Sequence, residues 1–599
     1  MTVRLSRERI DSFCGNVLPL RLLSSSDLSG QPISWRVEGE SVALRTFSSE
    51  ADHPFSDGVL LTLTKPGLSS VFAEWNGESY CCPVSVRPMK TAASDGSFQY
   101  YIGDFHDHTT TEHNHDRFAA RETGFPFDLI RQIRDENRLD FHVVSDHAST
   151  LNPRDFFRGF ADEEAAQPME LIVFPGSESE VSAVETDRYG YSHKNSGEIV
   201  TVNASNFSSV RSWDEFYREM EGSPFAVCAL AHPQIVGWSV PGIWNFSLHR
   251  NNTPRLKNML KMVEMGNGGD RESNQLNEYT YSVALDNGFR VSTTCSSDCH
   301  GPRWGYDVFP GKTIIMAQEK SKEAFLDAML HNRIYACESG NLKLKYTVNK
   351  TPAPCDLTPV ETYDFHLEID CFREDESTLP IRCQLISDGG KTVFSHEGAP
   401  FSRLDFSIES DSASYFYLRL MDSQGRKTWS PPVYTGRRPA PDSRDFLIPM
   451  DKSGCTATDE TTGLDASILL CDDPSMVWTS EQGRASILID MQEIRTIAGF
   501  SHYPFPVTRE LLKGSSTPAK LAEFPSEYRV SVSTDGKTFS EWDHGVFRIF
   551  GGEEIIPLEE CEARYVRLEI LFTVGSASGL TAYKAAPLTI GEITIYARK

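Results

Sequence analysis

Between residues 98 and 340, short apolar runs typical of β-strands alternate with runs that have helical spacing. The strand candidates are Tyr100–Gly103, Leu139–Val144, Leu171–Phe174, Ala226–Ala231, Met262–Met265 and Arg290–Thr294. Helical spacing is seen at Phe127, Ile130, Ile133, Phe325, Ala328 and Met329. This alternation predicts βα units and a mainly parallel sheet or barrel.

The rest of the chain has a β pattern, and 599 residues are too many for one hydrophobic core. Residues 1–95 alternate β-rich runs with turns, which predicts an N-terminal β-sandwich. Its strand candidates are Val42–Thr46, Val59–Leu63, Ser70–Trp75 and Cys82–Val86. We therefore expect a sandwich at 1–95, a barrel of βα units at 96–340, a second sandwich at 341–437 and, after a Pro-rich linker, an all-β module at 447–599.

Charge and hydropathy exclude two classes of partner. The formal net charge is −26 and no stretch is rich in Lys and Arg, so nucleic acid is not an expected partner. No apolar run approaches the roughly 18 residues of a membrane helix, so no membrane span is expected. The amino terminus has no apolar signal region and the cysteines are scattered, which favours the cytoplasm; removal of a signal segment would indicate an extracellular protein instead.

Chemistry-bearing side chains are concentrated where the predicted strands of residues 98–340 end. Eleven of the sixteen histidines lie in this range. The strand-end groups are Asp104, His106, His108, Asp146, His147, Glu178, His232, Asp298 and His300. Because the carboxyl ends of parallel strands open on one face of a barrel, these groups are expected to meet there.

A metal cluster accounts for these groups better than packing does. His106 and His108 are two residues apart on an extended segment, so both imidazoles can face one ion. One such histidine alone is more often a core or loop residue. Many imidazoles and carboxylates buried together, however, would leave polar groups unpaired unless metals satisfied them.

The motifs "DFHDHT", "SDH", "PGSE", "AHP" and "SDCH", in this order, resemble those of the polymerase and histidinol phosphatase (PHP) superfamily of metal-dependent phosphoesterases. The resemblance covers about 240 residues. It implies a distorted (β/α)7 barrel, flanked here by β-sandwiches, that holds two or three divalent ions of zinc, manganese or iron.

The resemblance also implies a ligand set. His106, His108, Glu178 and Asp298 would hold one ion; Glu178, His232 and His193 a second; and His147, His300 and one residue of the stretch 113–116 a third. Both His113 and His115 qualify for this last place, and the sequence does not choose between them. For His193, a position in a surface loop is a nearly equal alternative to the role of metal ligand.

Other residues near the motifs have expected supporting roles. Glu178 and Asp298 are the residues expected to act in catalysis, with Arg303 clamping a phosphate bidentately. Lys194 is an alternative phosphate contact, and either cation can equally be a solvated surface charge. The remaining expectations concern Asp104 and Asp146, which would orient ligand histidines; His142 and His331, which would be structural; and Trp238, Trp244 and Trp304, which would stack on a sugar or pack in the core.

The C-terminal segment resembles a discoidin-type carbohydrate-binding module. The resemblance rests on "DDPSMVWTS", "ILIDM", "VSVSTDGKTFSEW" and "ARYVRLEI". It implies a β-sandwich that binds a glycan and acts as a separable anchor beyond the linker. His502 and Tyr503 would form an aromatic platform or merely end a strand.

Together these patterns predict a metal-dependent hydrolase. The leading expectation is a phosphoesterase that cleaves a carbohydrate-associated phosphoester, such as a sugar phosphate, with a metal-activated water. One alternative is hydrolysis of an amide or glycosidic bond in glycans by a related metal barrel. The other is a non-catalytic glycan-binding protein, for which gaps in the ligand set would be expected.

Overall fold

The chain folds mainly into β-sheet with few helices. The computed structural model describes residues 3–26, 28, 31–47, 55–93, 97–109, 133, 139–166, 170–209, 212–233, 254–268, 274, 276–300, 304, 309–437, 446–504, 522–548, 552–577 and 586–599. None of the helices in these ranges is long and apolar enough to cross a lipid bilayer.

The N-terminal region forms two four-stranded sheets that share one apolar core. The strands are β1 Val3–Leu5, β2 Ile10–Phe13, β3 Val17–Ser24, β4 Ser34–Glu38, β5 Val42–Phe47, β6 Phe55–Leu63, β7 Gly67–Trp75 and β8 Glu78–Arg87. One sheet has the order β1-β3-β6-β5 and the other β2-β8-β7-β4. Leu20 and Leu61 of the first sheet pack with Val71 and Val84 of the second. The four strands predicted here are confirmed.

A curled sheet follows. Its first nine strands are β9 Gln99–Asp104, β10 Phe141–Val144, β11 Ile172–Thr186, β12 Ser192–Val202, β13 Val227–Ala231, β14 Leu260–Asn267, β15 Ser292–Ser296, β16 Lys312–Ala317 and β17 Ile334–Cys337. They lie in the order β15-β14-β13-β12-β11-β10-β9-β16-β17. All six predicted strands of this region are present, and β12, β16 and β17 are additional.

The sheet is less parallel than predicted. Strands β9, β10 and β11 are parallel, as are β13, β14 and β15. Strand β12 is antiparallel to both its neighbours, and β16 is antiparallel to β9 and β17. Only residues 187–191 join β11 to β12, and so short a link can make a hairpin but not a crossover.

The two ends of this part of the sheet approach each other through side chains. The backbone N–H of Cys295 in β15 donates to Thr313 Oγ1 in β16 at 2.9 Å. The backbone N–H of Ala336 in β17 donates to Thr293 Oγ1 at 3.0 Å. Among the described strands, however, no ladder of backbone hydrogen bonds joins β15 to β16 or β17. The (β/α)7 barrel therefore stays a prediction.

Helices are short and few within the described ranges. They are α1 Pro153–Ala166, α2 Trp213–Glu219, α3 Pro254–Met259, α4 Asn277–Asp286, α5 Lys322–Leu330 and α6 Val574–Ala577. Helix α5 carries Phe325, Ala328 and Met329 on its buried face and confirms that prediction. Phe127 and Ile130 lie outside the described residues.

The sheet continues past residue 340. The strands are β18 Leu342–Val348, β19 Thr351–Pro352, β20 Cys355–Asp356, β21 Thr362–Cys371, β22 Pro380–Ser387, β23 Lys391–Glu397, β24 Arg403–Glu409, β25 Tyr415–Asp422, β26 Lys427–Trp429 and β27 Val433–Tyr434. Strand β26 pairs with β17, so β22, β23, β25 and β26 extend the curled sheet, and β20 and β27, which pair with each other and through β27 with β25, complete its fifteen strands. Strands β18, β19, β21 and β24 form a second sheet, and Phe365 and Leu418 pack between the two.

The strands of the C-terminal module form two sheets. The strands are β28 Leu447–Pro449, β29 Thr456–Asp459, β30 Leu464–Asp465, β31 Trp478–Ser480, β32 Ala485–Tyr503, β33 Glu527–Ser533, β34 Ser540–Val546, β35 Glu554–Ile570, β36 Leu588–Ile590 and β37 Glu592–Arg598. Of the motifs quoted for this segment, "ILIDM" lies in β32, "VSVSTDGKTFSEW" begins in β33 and "ARYVRLEI" lies in β35. Eight of these strands form one sheet, and β31 pairs with β36.

His502 and Tyr503 end the long strand β32 and are fully buried. Tyr503 donates to Asp187 of the β11–β12 turn at 2.8 Å. Of the two sequence interpretations, the strand end is therefore the one observed, and an aromatic platform open to solvent is wrong. The imidazole of His502 lies against Phe547, and burial lowers its pKa to about 3.

We predict that His502 makes the module sensitive to acid. The pKa of His502 in the folded state lies below its unfolded value, so the unfolded chain binds the extra proton and stability falls as pH drops below about 6.5. Between pH 7 and pH 4 this one group should cost about 3 kcal/mol of unfolding free energy. Urea unfolding followed by Trp fluorescence should show that His502→Leu loses that part of the pH dependence. An unchanged pH dependence in the variant would contradict the prediction.

Candidate metal centre

Glu178 lies at the centre of a buried group of histidines. Its Oε1 atom is 3.2 Å from His106 Nε2 and 3.2 Å from His232 Nε2. Its Oε2 atom is 3.4 Å from His108 Nε2 and 3.0 Å from His147 Nδ1. Glu178 is 2% exposed. One carboxylate is thus surrounded by four imidazoles in a site almost closed to water.

Strand ends bring these side chains together from distant parts of the chain. The cluster residues that follow strands are His106 and His108 after β9, His147 after β10, His232 after β13, and Asp298 and His300 after β15. Glu178 lies within β11, where a backbone bridge connects it to His147. The carboxyl ends of these strands therefore converge, as the sequence pattern predicts.

Asp298 forms the second carboxylate of the group. Its Oδ1 atom is 3.0 Å from His108 Nε2 and 3.5 Å from both His106 Nε2 and His300 Nδ1. Asn267 donates to its other oxygen at 3.0 Å. Asp298 and His232 both have positive φ, at 46° and 27°. Such left-handed backbone in non-glycine residues is concentrated at functional sites, where surrounding contacts enforce it.

Four overlapping sets of three side chains have ligand atoms close enough to share an ion. The sets are His106, His108 and Glu178; His106, His232 and Asp298; His108, His147 and His300; and His147, Glu178 and Glu198, each with ligand atoms within 4.8 Å of one another. The sharing of Glu178 between two sets is the arrangement expected of a bridging carboxylate.

Unsatisfied oxygens indicate that cations fit this site. Within the described part of the chain, neither carboxylate oxygen of Glu178 accepts a well-directed hydrogen bond. The same holds for Oδ1 of Asp298 and Oε1 of Glu264. Buried carboxylate oxygens without donors are costly, and a divalent ion would satisfy them. Imidazole and carboxylate ligands together suit zinc, manganese and iron.

The electrostatics of the group are those of ligands that exchange protons for metal. Burial opposes ionisation of Glu178, yet His106 and His147 hold its pKa well below the usual range. Burial likewise opposes protonation of His232, but the carboxylates of Glu178 and Glu198 raise its pKa to about 9. In the absence of a cation the imidazole of His232 thus carries a proton that balances the carboxylates, and binding an ion would release it.

Two carboxylates of the site are absent from the predicted ligand set. Glu198 Oε2 lies 3.3 Å from His232 Nε2, and burial raises the pKa of Glu198. The only sequence signal for its strand, β12, is the short apolar run "EIVTV". Glu264 in β14 lies 3.3 Å from His106 Nδ1 and accepts from the backbone N–H of His232 at 2.7 Å. Glu264 lies inside the predicted strand Met262–Met265, and a carboxylate within an apolar run was the available signal.

His193 lies on the same strand as Glu198 but farther from the cluster. Its backbone pairs with Glu185, close to the hairpin turn. The five residue steps from position 193 to position 198 span about 17 Å of strand. The side chains of His193 and Lys194 are outside the described part of the chain, as are His113, His115, Arg303, Trp238 and Trp244, so their roles stay predictions.

The hydrogen bonds that the structure describes for Asp104 and Asp146 come from Ser297 and Thr109. Asp104 accepts from the backbone N–H of Ser297 at 3.0 Å and from its hydroxyl at 2.7 Å, and lies 3.2 Å from the buried Lys312 Nζ. Asp146 accepts from the backbone N–H of Thr109 at 2.6 Å and from its hydroxyl at 2.7 Å. Both carboxylates therefore fix the backbone of the ligand segments.

His142 and Trp304 pack in the core, whereas His331 caps a helix. His142 is buried, stacks on Trp304 with ring centroids 4.4 Å apart, and burial lowers its pKa to about 4. Trp304 donates to the carbonyl of His108 at 3.0 Å. His331 ends helix α5 beside Asp327. These contacts agree with the structural roles predicted for His142 and His331 and with the core position that was one alternative for Trp304.

Comparison with known proteins gives structural likenesses only. No protein-family model matches the chain, and no curated protein matches it by sequence. A two-domain protein from Bacteroides vulgatus, containing a predicted PHP-like metal-dependent phosphoesterase, is 14% identical, with 56% of this chain and 94% of that chain covered and a TM-score of 0.28.

Carbohydrate-binding modules of family 32 are also among the similar structures. One, from a family 31 glycoside hydrolase of Clostridium perfringens, is 17% identical over 26% of this chain and 99% of its own, with a TM-score of 0.20. Another, from C. perfringens NanJ in complex with galactose, is 14% identical over 25% and 98%, with a TM-score of 0.19. Likenesses at these scores carry no functional argument, so function must be argued from the site.

We predict that Glu178→Gln removes at least one metal equivalent per chain. The substitution keeps the size of the side chain but removes the charge that offsets the cations. Elemental analysis of protein purified from metal-supplemented medium measures the loss. His142→Asn is the control: it alters a buried histidine that lies outside the four ligand sets, and its metal content should stay at the wild-type value. Full metal content in Glu178→Gln would contradict the bridging role.

We further predict that Glu198, and not His193, is the ligand that β12 supplies. Glu198→Gln should weaken metal binding by about tenfold, as expected for loss of one charged ligand, whereas His193→Gln should leave it unchanged. Titration of chelator-stripped protein with Mn²⁺ or Zn²⁺ compares the two. The opposite ranking would restore the ligand set implied by the sequence.

Proposed function

We propose that this protein is a metal-dependent hydrolase that cleaves a phosphoester of a carbohydrate or sugar phosphate. The observation that carries the proposal is the position of Glu178, whose two buried oxygens lie within 3.0–3.4 Å of four histidine nitrogens. A structural core has no need of such a group, because packed apolar side chains would be less costly to bury.

Divalent ions held by these groups would lower the pKa of a bound water toward neutrality and neutralise the oxygens of a phosphoryl group. The protein side chains supply the geometry. Glu178 and Asp298 bring negative charge to the same point from β11 and from the segment after β15. Asp104 and Asp146 anchor the backbones of the ligand segments, so that the imidazoles are held before substrate arrives.

The exposure of the side chains indicates where substrate enters. His106, His108 and Glu178 are each 1% exposed, whereas His147, His300 and Glu198 are 26–30% exposed. The first three therefore form the floor of the site and the last three its mouth. A phosphoryl group entering from solvent would meet His147 and His300 first, and Arg303, three residues after His300, is the proposed clamp for its oxygens.

The carbohydrate part of the proposal rests on the C-terminal module. Its discoidin-type sequence motifs suggest glycan binding, and the module packs against the same body that holds the metal centre. We therefore propose a substrate whose phosphoester is attached to sugar.

We predict metal-dependent hydrolysis of p-nitrophenyl phosphate with no comparable hydrolysis of p-nitrophenyl acetate, p-nitrophenyl glycosides or a p-nitroanilide amide. Stripping the ions with chelator should abolish turnover, and Mn²⁺ or Zn²⁺ should restore it. Glu178→Gln is the negative control, and it should lose at least about 100-fold in kcat. Turnover of a glycoside or anilide alone would indicate the other hydrolase class. If the wild-type protein binds no metal and cleaves none of the four classes of substrate, the remaining hypothesis is a non-catalytic glycan-binding protein.

A further inference from the structure

The hairpin of β11 and β12 connects the metal centre with the C-terminal module. At its base, Glu178 and Glu198 belong to the cluster. Glu198 is paired with Glu180, and opposite partners in an antiparallel pair point to the same face. Because Glu178 is two residues from Glu180, its side chain also points to that face. At its tip, residues 187–191 contact the module. From Glu178 to the end of β11 at Thr186 there are eight residue steps, a span of about 27 Å along the strand.

The outer half of this hairpin has little support from the sheet. Strand β10 pairs with β11 only at residues 172–175, and β13 pairs with β12 only at residues 198–202. Within the described chain, no strand pairs with the ribbon between residue 181 and residue 197. A two-stranded ribbon is marginally stable in water, so its order depends on what holds its tip.

The module holds the tip by a two-point ion pair. Arg188 donates through Nε and Nη2 to the two oxygens of Glu553 at 2.9 and 2.8 Å, and also to Thr594 Oγ1 at 2.8 Å. Glu553 is fixed in turn by hydroxyl donors from Ser501 at 2.5 Å and Tyr596 at 2.6 Å. Planar guanidinium and carboxylate groups paired in this way resist both sliding and rotation.

Aromatic and polar contacts complete the attachment. The ring of Tyr189 meets that of Tyr503 edge to face, with centroids 5.5 Å apart. Asp187 accepts from Tyr503 and also from the backbone N–H groups of Tyr189 and Tyr191 at 2.9 Å, which fixes the shape of the turn. Tyr191 donates to Asp473 of the module at 3.3 Å.

We infer that the C-terminal module positions the metal centre: through the Arg188–Glu553 pair it holds the β11–β12 hairpin, and so keeps Glu178 and Glu198 in place to bind ions. Arg188 is thus a positioning residue for the proposed hydrolase. This replaces the expectation of a separable anchor, because removing the module would release the outer half of a strand pair whose base carries two cluster carboxylates. The inference rests on the proposed function for its metal readout.

A matched control is available on the other side of the module. Lys391 in β23 pairs with Asp543 at 2.5 Å, and its burial resembles that of Arg188: the side chains are 34% and 30% exposed, and their partners 11% and 8%. Strand β23 carries no residue of the metal cluster. Arg188→Ala and Lys391→Ala therefore each remove one ion pair to the module, but only the first acts on the hairpin.

The test compares these two variants of the full chain. Hydrogen exchange read by mass spectrometry should show amides of residues 176–202 exchanging at least about tenfold faster in Arg188→Ala, and Mn²⁺ binding weakened by about tenfold. The kcat for p-nitrophenyl phosphate should fall more than KM rises. Lys391→Ala should change none of the three, and Arg188→Lys, which keeps the charge without the two-point contact, should be intermediate.

The outcomes separate the two proposals. If Arg188→Ala does not fold, Glu553→Gln replaces it, since it keeps the shape of the carboxylate and weakens the same pair. Hairpin exchange and Mn²⁺ affinity within about twofold of wild type, or equal to those of Lys391→Ala, would overturn the inference. If the wild-type chain binds no metal, the proposed function fails, whereas the exchange of residues 176–202 still decides whether the module holds the hairpin.

Discussion

The arrangement of the central sheet depends on burying several carboxylates beside several imidazoles. Glu178 and Glu264 are buried and the side chain of Asp298 is only 17% exposed, so an isolated charge on any of them would be very costly. Each is tolerated because histidine nitrogens come within 3.0–3.5 Å of it. Since those histidines follow four different strands, the strands must converge for any of the charges to be stable. The convergence is accompanied by left-handed backbone at Asp298 and His232. It also places the buried Lys312 beside Asp104.

Much of this group could be predicted because its members follow apolar runs. His106, His147, His232 and Asp298 each come directly after a segment whose side chains are buried, so both the strand and the polar residue at its end are visible in the sequence. Glu198 is different. It begins the only part of β12 that pairs with β13, and the residues before it, "SHKNSG", have the polarity of a loop because that part of the strand has just one paired neighbour.

Contacts between residues far apart in the chain could not be predicted, for a related reason. Asp104 precedes a ligand histidine, which favours a role in orienting its ring, but its hydrogen-bond donor is Ser297, 193 residues away. The antiparallel position of β12 depends on a turn whose shape Asp187 fixes, and the burial of Tyr503 depends on the partner that meets it there. In each case the deciding contact is between residues that no local pattern relates.

The pairing of β17 with β26 has a consequence for how the chain can be divided. These strands belong to segments on either side of residue 340, yet they share one ladder, Ala336 with Trp429 and Cys337 with Thr428. Ending the chain at residue 340 would leave the backbone N–H and C=O groups of β17 open along a buried, apolar strand. Such an edge accepts any extended segment, including the same strand of another molecule. Fragments cut at this point should therefore associate and precipitate, and sequence-based division would separate two halves of a single hydrogen-bonded unit.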